Sequence, residues 1–196
     1  RPFLEGLLPD NHEILKQWAR TFGVSPNNPF ALLKHVGEDC PGAIQLVDNT
    51  RVEELTGAVK RPSVVEWLTE ADVANRLREL RTNSAAWRLS GDTGQFSLPG
   101  AHAKTALLYD GQRWGVPSGR TPTTHILKPP IAGLDGFTEN EHVCLDLVRA
   151  LGLPAAQSEV VRFEDQTAIA VERFDRRRDG AGWQRIHQED CCQALA

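Results

Sequence analysis

Residues 97–105 read Ser-Leu-Pro-Gly-Ala-His-Ala-Lys-Thr, residues 121–129 read Thr-Pro-Thr-Thr-His-Ile-Leu-Lys-Pro, and residues 170–176 read Ala-Val-Glu-Arg-Phe-Asp-Arg. The first is a Pro-Gly turn of small residues. The second is an alternating run that ends on a lone lysine, and the third alternates and then runs out into charge. Around them, from Trp87 on, short apolar runs broken by Gly and Pro predict strands over 94–98, 104–109, 113–116, 123–128, 157–163 and 167–174. One helix interrupts them, from Thr138 to Leu151, closed by Gly152.

The part before Trp87 reads as a small helical unit. Ile14, Leu15, Trp18 and Phe22 keep helical spacing behind a cap at Asp10 or Asn11, with Gly23 at the C-terminal end. Asn28-Pro29 opens a second helix through Phe30, Leu32, Leu33 and Val36, stopped by Gly37. Residues 43–47 read as a strand, 48–68 as mixed with Arg61-Pro62 a linker, and Thr69 caps a polar helix to about Arg81. The expected organisation is therefore an N-terminal subdomain over 1–60, a linker and helix over 61–86, and an α+β unit over 87–196, whose last residues, 189–196, begin a helix.

Composition narrows the class. With 40% hydrophobic and 24% charged residues, the 196-residue chain supports a packed core. A net charge of −4 disfavours direct nucleic-acid binding, which needs clustered Lys and Arg. Cys40, Cys144, Cys191 and Cys192 form no CxxC pair and no disulfide framework, so a reduced, cytoplasmic protein is expected. There is no apolar run of membrane-spanning length, hence no membrane partner is expected. The chain has no Met and opens on Arg1-Pro2, so further N-terminal sequence is expected. No HExxH or GxSxG occurs, and His142 and Cys144 point to different helix faces, which removes the commonest zinc and serine-hydrolase readings.

Three features can carry phosphate chemistry, each beside a plainer account. In the 97–105 turn, small residues let backbone N–H groups approach an anion, and Lys104 adds a charge. Taken alone, an ordinary hairpin turn is the simpler reading. Lys128 shares a strand face with Thr124 and Ile126, where an ammonium needs an anionic partner; equally, it could snorkel to water at the strand end. Glu141 continues the helical stripe of Cys144, Leu145, Val148 and Leu151 and could pair with Lys128. Its first-turn position, favourable to the helix dipole like that of Glu139, is the plainer account. Residues 168–174 could offer backbone to an adenine edge or form a central strand with a surface salt bridge, and Arg173, Arg176, Arg177 and Arg178 read as a solvated turn.

Together these motifs resemble the HipA family of bacterial Ser/Thr kinase toxins, partners of a HipB-type antitoxin. The resemblance extends to Phe3 through Asp10, Asp39-Cys40-Pro41-Gly42-Ala43, Asn140-Glu141 and Gln188-Glu189-Asp190. It implies a kinase-like small lobe of antiparallel strands and one main helix. It also implies ATP contacts from Pro99, Gly100, Ala101, His102, Ala103 and Lys104, an ATP lysine at Lys128 partnered by Glu141, and an adenine hinge of Glu172, Arg173 and Phe174. His102 and Ala103 depart from the family's more usual Gln-Glu. Ser97 matches a serine whose autophosphorylation ejects the loop; a phosphate there would add about −1.5 to −2 charges beside the triphosphate. The implied cofactors are ATP and Mg²⁺. The implied protein substrate is a translation component of the aminoacyl-tRNA synthetase class, with growth arrest and persistence as the outcome and DNA reached only through the antitoxin.

In the family the catalytic aspartate and the metal-binding Asn and Asp belong to a helical large lobe. No Asn follows Phe174 here, so no catalytic or metal residue is assigned and the chain alone is expected to transfer no phosphoryl group. Two other readings stand beside this one: a catalytically inactive fragment or split-gene product that docks a partner, and an unrelated nucleotide-binding regulatory domain.

Overall fold

The computed structural model describes residues 2–56, 64–87, 95–180 and 182–195. The chain opens with α1 (Pro2–Glu5), α2 (His12–Phe22), α3 (Pro29–Val36) and α4 (Asn49–Thr56). Asn11 and Asn28 cap α2 and α3, their side chains accepting from the N–H groups of Glu13 and Ala31. After β1 (Val65–Leu68) comes α5 (Glu70–Thr82), opened by a reciprocal capping box between Thr69 and Asp72. Then follow β2 (Thr105–Tyr109), β3 (Trp114–Pro117), β4 (His125–Lys128), α6 (Phe137–Ala150), β5 (Ser158–Phe163) and β6 (Gln166–Glu172). A hairpin of β7 (Arg176–Asp179) and β8 (Gly182–Arg185) and the short α7 (Cys191–Ala194) complete the order.

The strands β1-β3-β2-β4-β6-β5 form one antiparallel six-stranded sheet, while β7 and β8 pair only with each other. The pairing Leu127↔Ala170 puts two core residues on one face, and Ile126↔Val171 puts two half-buried ones on the other. A single apolar cluster runs from Leu7 of the helical part through Leu33, Leu77 and Trp87 to Leu107, Leu127 and Ala170 in the sheet. Trp18 and Trp87 meet edge-on at 5.5 Å, and the Trp18 indole donates to the Ala85 carbonyl.

Several expectations change. Residues 43–47 form no strand: the Leu46 N–H donates to the Gly37 carbonyl and the Gln45 amide to the Glu38 carbonyl, so the segment is an irregular strap with no ladder to it among the described residues. The predicted 94–98 strand reduces to one parallel bridge, Asp39 to Phe96, with residue 94 outside the described residues. Within 48–68, α4 and β1 form where only mixed character was read; the Arg61-Pro62 linker lies outside the described residues. The deeply buried residue of β4 is Leu127, not Ile126. On α6 only Thr138 is buried, and Cys144 and Leu151 of the expected stripe are exposed.

The arginine run is the largest correction. Arg173 and Arg176 are not in a solvated turn; their side chains are 2% and 0% exposed, held by buried Asp39 and Asp175.

Candidate nucleotide cleft

The three quoted segments meet at one open cleft of about 640 Å³, within the range typical of small-molecule sites. Pro99, Gly100, Ala101, His102, Lys104, Lys128, Glu172, Arg173 and Phe174 all border it; Ala103 does not. Ile126 and Val171 supply an apolar wall, and Pro41, Gln188 and Asp190 close the rim from distant parts of the chain.

The turn is shaped from beneath by Lys104. Its ammonium donates to the carbonyls of Pro99 (2.8 Å) and Gly100 (3.1 Å) and lies 4.3 Å from the centre of the Trp87 ring. A trans peptide directs N–H opposite to C=O, so the N–H groups of Gly100 and Ala101 are turned away from Lys104. Gly100 has φ +101°, a backbone conformation that favours glycine, and a Cβ there would stand 2.9 Å from the Lys104 Nζ and displace it. Burial, then the charge of Lys128, brings the Lys104 ammonium down to about 8. His102 packs edge-on against Phe137 at the start of α6, and burial holds its imidazole below the ordinary value.

On the facing strand the Lys128 Nζ meets the Glu141 Oε1 at 2.5 Å, with the two side chains 21% and 25% exposed. The lysine is thus neither stranded in the core nor lost to solvent. Its head is fixed at the cleft by a carboxylate from α6, which approaches β5 and β6.

At the cleft's inner edge, the backbone N–H of Glu172 donates to the Gln157 carbonyl and that of Arg173 to the Thr124 carbonyl. The Phe174 ring is 71% exposed over the cleft mouth. The Arg173 side chain turns the other way, into the ion cluster. It donates from Nε to the Asp175 Oδ1 (3.1 Å), from Nη1 to the Thr123 Oγ1 (2.9 Å) and from Nη2 to the Cys40 carbonyl (3.0 Å). Arg176 donates to the Asp39 Oδ1 and to the Cys40 and Gly42 carbonyls. Asp175 also accepts from the Gly42 N–H at 2.7 Å. Gly42 has φ +75°, and its missing Cβ would press to 3.0 Å on the Gln188 N. Burial pushes the Asp39 carboxyl up, but Arg173, Arg185 and Arg176 with the Thr123 hydroxyl together hold it below the usual carboxylate range.

Ser97 lies outside the cleft lining. It is fully buried, and its hydroxyl donates to the Leu7 carbonyl at 2.7 Å. Among the described residues no group of three or more His, Cys, Asp or Glu gathers to hold a metal ion. Nor is any described helix long and apolar enough to cross a membrane.

An antiparallel sheet carrying a lysine–glutamate pair under a small-residue turn, with one main helix beside it, is the small lobe of a protein-kinase-type fold. The HipA N-terminal domain model matches residues 1–47 and the HipA-like C-terminal domain model matches residues 96–196. The chain belongs to the HipA family. It is 41% identical over its whole length to the candidate kinase Y4mE of Sinorhizobium fredii. It is 31% identical over 98% of its length to the serine/threonine-protein kinase toxin HipA of Shewanella oneidensis. It spans less than half of those relatives, 46% and 42%. A solved complex of Shewanella oneidensis HipA with HipB and its operator DNA superposes with a TM-score of 0.76. That match has 30% identity and covers 99% of this chain and 43% of that one.

Proposed function

We propose that this chain is the nucleotide-binding half of a HipA-type serine/threonine kinase toxin. The observation that carries the reading is the Lys128–Glu141 pair, set at the cleft opposite the Pro99–Gly100 turn. Phosphoryl transfer asks mainly for positioned charge, and a lysine oriented by a helix glutamate supplies it. The N–H groups of Gly100 and Ala101 cover the phosphates, with Lys104 anchoring the turn rather than reaching the ligand. Adenine lies against Ile126 and Val171. Because the N–H groups of Glu172 and Arg173 are already engaged, its edge pairs with the Glu172 carbonyl and the Phe174 N–H. Mg²⁺ bound with the nucleotide would offset the triphosphate charge.

The whole protein then phosphorylates a translation component of the aminoacyl-tRNA synthetase class in the cytoplasm and arrests growth. It is neutralised by a HipB-type antitoxin, through which alone it meets DNA. Ser97 is its autophosphorylation site; since its hydroxyl is sealed against Leu7, the segment must leave before a phosphate can be added. The test is transfer of labelled γ-phosphate from ATP by the whole protein, with Ser97 followed by mass spectrometry. Lys128→Ala is expected to abolish transfer. Equal transfer by the variant would remove the lysine from the mechanism, and no transfer by the unaltered protein would favour a docking role.

A further inference from the structure

The face of the β7–β8 hairpin that meets the rest of the protein carries more positive charge than the fold neutralises. The register Arg176↔Arg185 and Arg178↔Trp183 puts these four side chains on one face. The inner pair enters the buried cluster, where three guanidiniums, Arg173, Arg176 and Arg185, face two carboxylates, Asp39 and Asp175. Arg185 is the unserved member. Its side chain is 9% exposed and its Nη2 lies 2.9 Å from the Asp39 Oδ1, yet its Nε, Nη1 and Nη2 have no hydrogen-bond partner among the described residues. Buried donors are ordinarily satisfied, and a guanidinium has five to place.

Arg185 borders a second pocket of about 680 Å³, away from the nucleotide cleft. Arg120 and Arg178 stand on its rim, both exposed and without an ion pair among the described residues, and Gln45, Thr121 and Trp183 complete its polar and aromatic lining. Among the described residues, no Asp or Glu lines it. Three arginines around one concavity, one of them buried with unspent donors, make a fork geometry suited to a tetrahedral oxyanion.

We infer that this pocket is an anion site, separate from the nucleotide cleft, that takes the phosphate group of a small phosphorylated molecule on Arg120, Arg178 and Arg185. The inference does not rest on the ATP reading, since none of these residues borders the first cleft.

The test is calorimetric titration of the protein with inorganic phosphate, with sodium chloride at matched ionic strength as the control for screening. Three proteins are compared: unaltered, Lys128→Ala, and the double variant Arg120→Gln/Arg178→Gln, whose exposed positions leave the buried cluster in place. The expected result is saturable phosphate binding that Lys128→Ala leaves unchanged and the double variant weakens tenfold or more. Absence of saturable binding, an equal response to chloride, or loss of binding in Lys128→Ala alone would each overturn the assignment. Equal affinity in the double variant would do the same.

Discussion

The candidate nucleotide cleft and the ion cluster behind it share Arg173 and Asp175, yet they are built on opposite terms. In the cleft, charge is sparse, partly exposed and aimed at open space: Lys128 and Glu141 form one pair a quarter or less exposed. In the cluster, five charged side chains are almost wholly buried, and Arg173 and Arg176 spend donors on Asp39 and Asp175 and on the Cys40 and Gly42 carbonyls. The first arrangement keeps a charge available for a ligand. The second locks the segment Asp39–Gly42 to the residues that follow β6. One piece of chain thus presents its backbone to the cleft while its side chains fasten it from behind.

The sharpest way to break this contrast is Asp39→Asn. It leaves Arg173, Arg176 and Arg185 facing Asp175 alone, and removing one partner of a buried ion network costs about 3–5 kcal/mol. In a chain of this size that lowers Tm by roughly 6–20 °C, read by thermal unfolding. A shift no larger than that of an exposed-pair variant would show that the cluster is not what ties the two regions.

Acid should act through groups behind the cleft. Burial brings the His125 imidazole down to about 4. The unfolded imidazole takes a proton below about 6.5 while the folded one resists, so stability is lost as pH falls from about 6.5 to 4. The expected loss is about 3 kcal/mol. Asp39 and Asp175, both held below the usual carboxylate range, extend the loss to lower pH as they protonate in the folded state. Denaturant midpoints across that window check it, and His125→Gln should flatten the upper part of the slope.

A smaller effect is expected at Ser97→Ala, which deletes the hydroxyl bonded to the Leu7 carbonyl: about 1 kcal/mol by urea unfolding. Ser97→Asp would place a charge in a fully buried site and should cost clearly more. Equal costs would mean that the segment opens freely.

The cleft was legible in sequence because each contributor sits in a short segment with its own pattern: a Pro-Gly turn, an alternating strand ending on Lys128, and a Glu at the head of a helix. Spacing alone left the pairing of Lys128 with Glu141 open, since both residues had local explanations. Asn11, Asn28 and Thr69 announced their helices for the same local reason. The cluster was illegible because its bonds join residues 133 to 137 positions apart, as from Arg173 to Cys40 and from Arg176 to Asp39. A run of arginines looks like a solvated turn until the fold brings an aspartate beneath it. Pro41, Gln188 and Asp190 escaped as cleft residues for the same reason, and residues 43–47 failed as a strand because no strand among the described residues pairs with them.

The most direct test of the contrast is calorimetric titration with ATP and Mg²⁺ of the unaltered chain and of Lys128→Ala, with the unfolding midpoint of each measured alongside. The account predicts that the substitution weakens binding tenfold or more, about 1.4 kcal/mol. It should cost no more than about 1 kcal/mol of stability, as befits a partly exposed pair. Unchanged ATP affinity in Lys128→Ala, or a collapse of stability as large as that of Asp39→Asn, would contradict it.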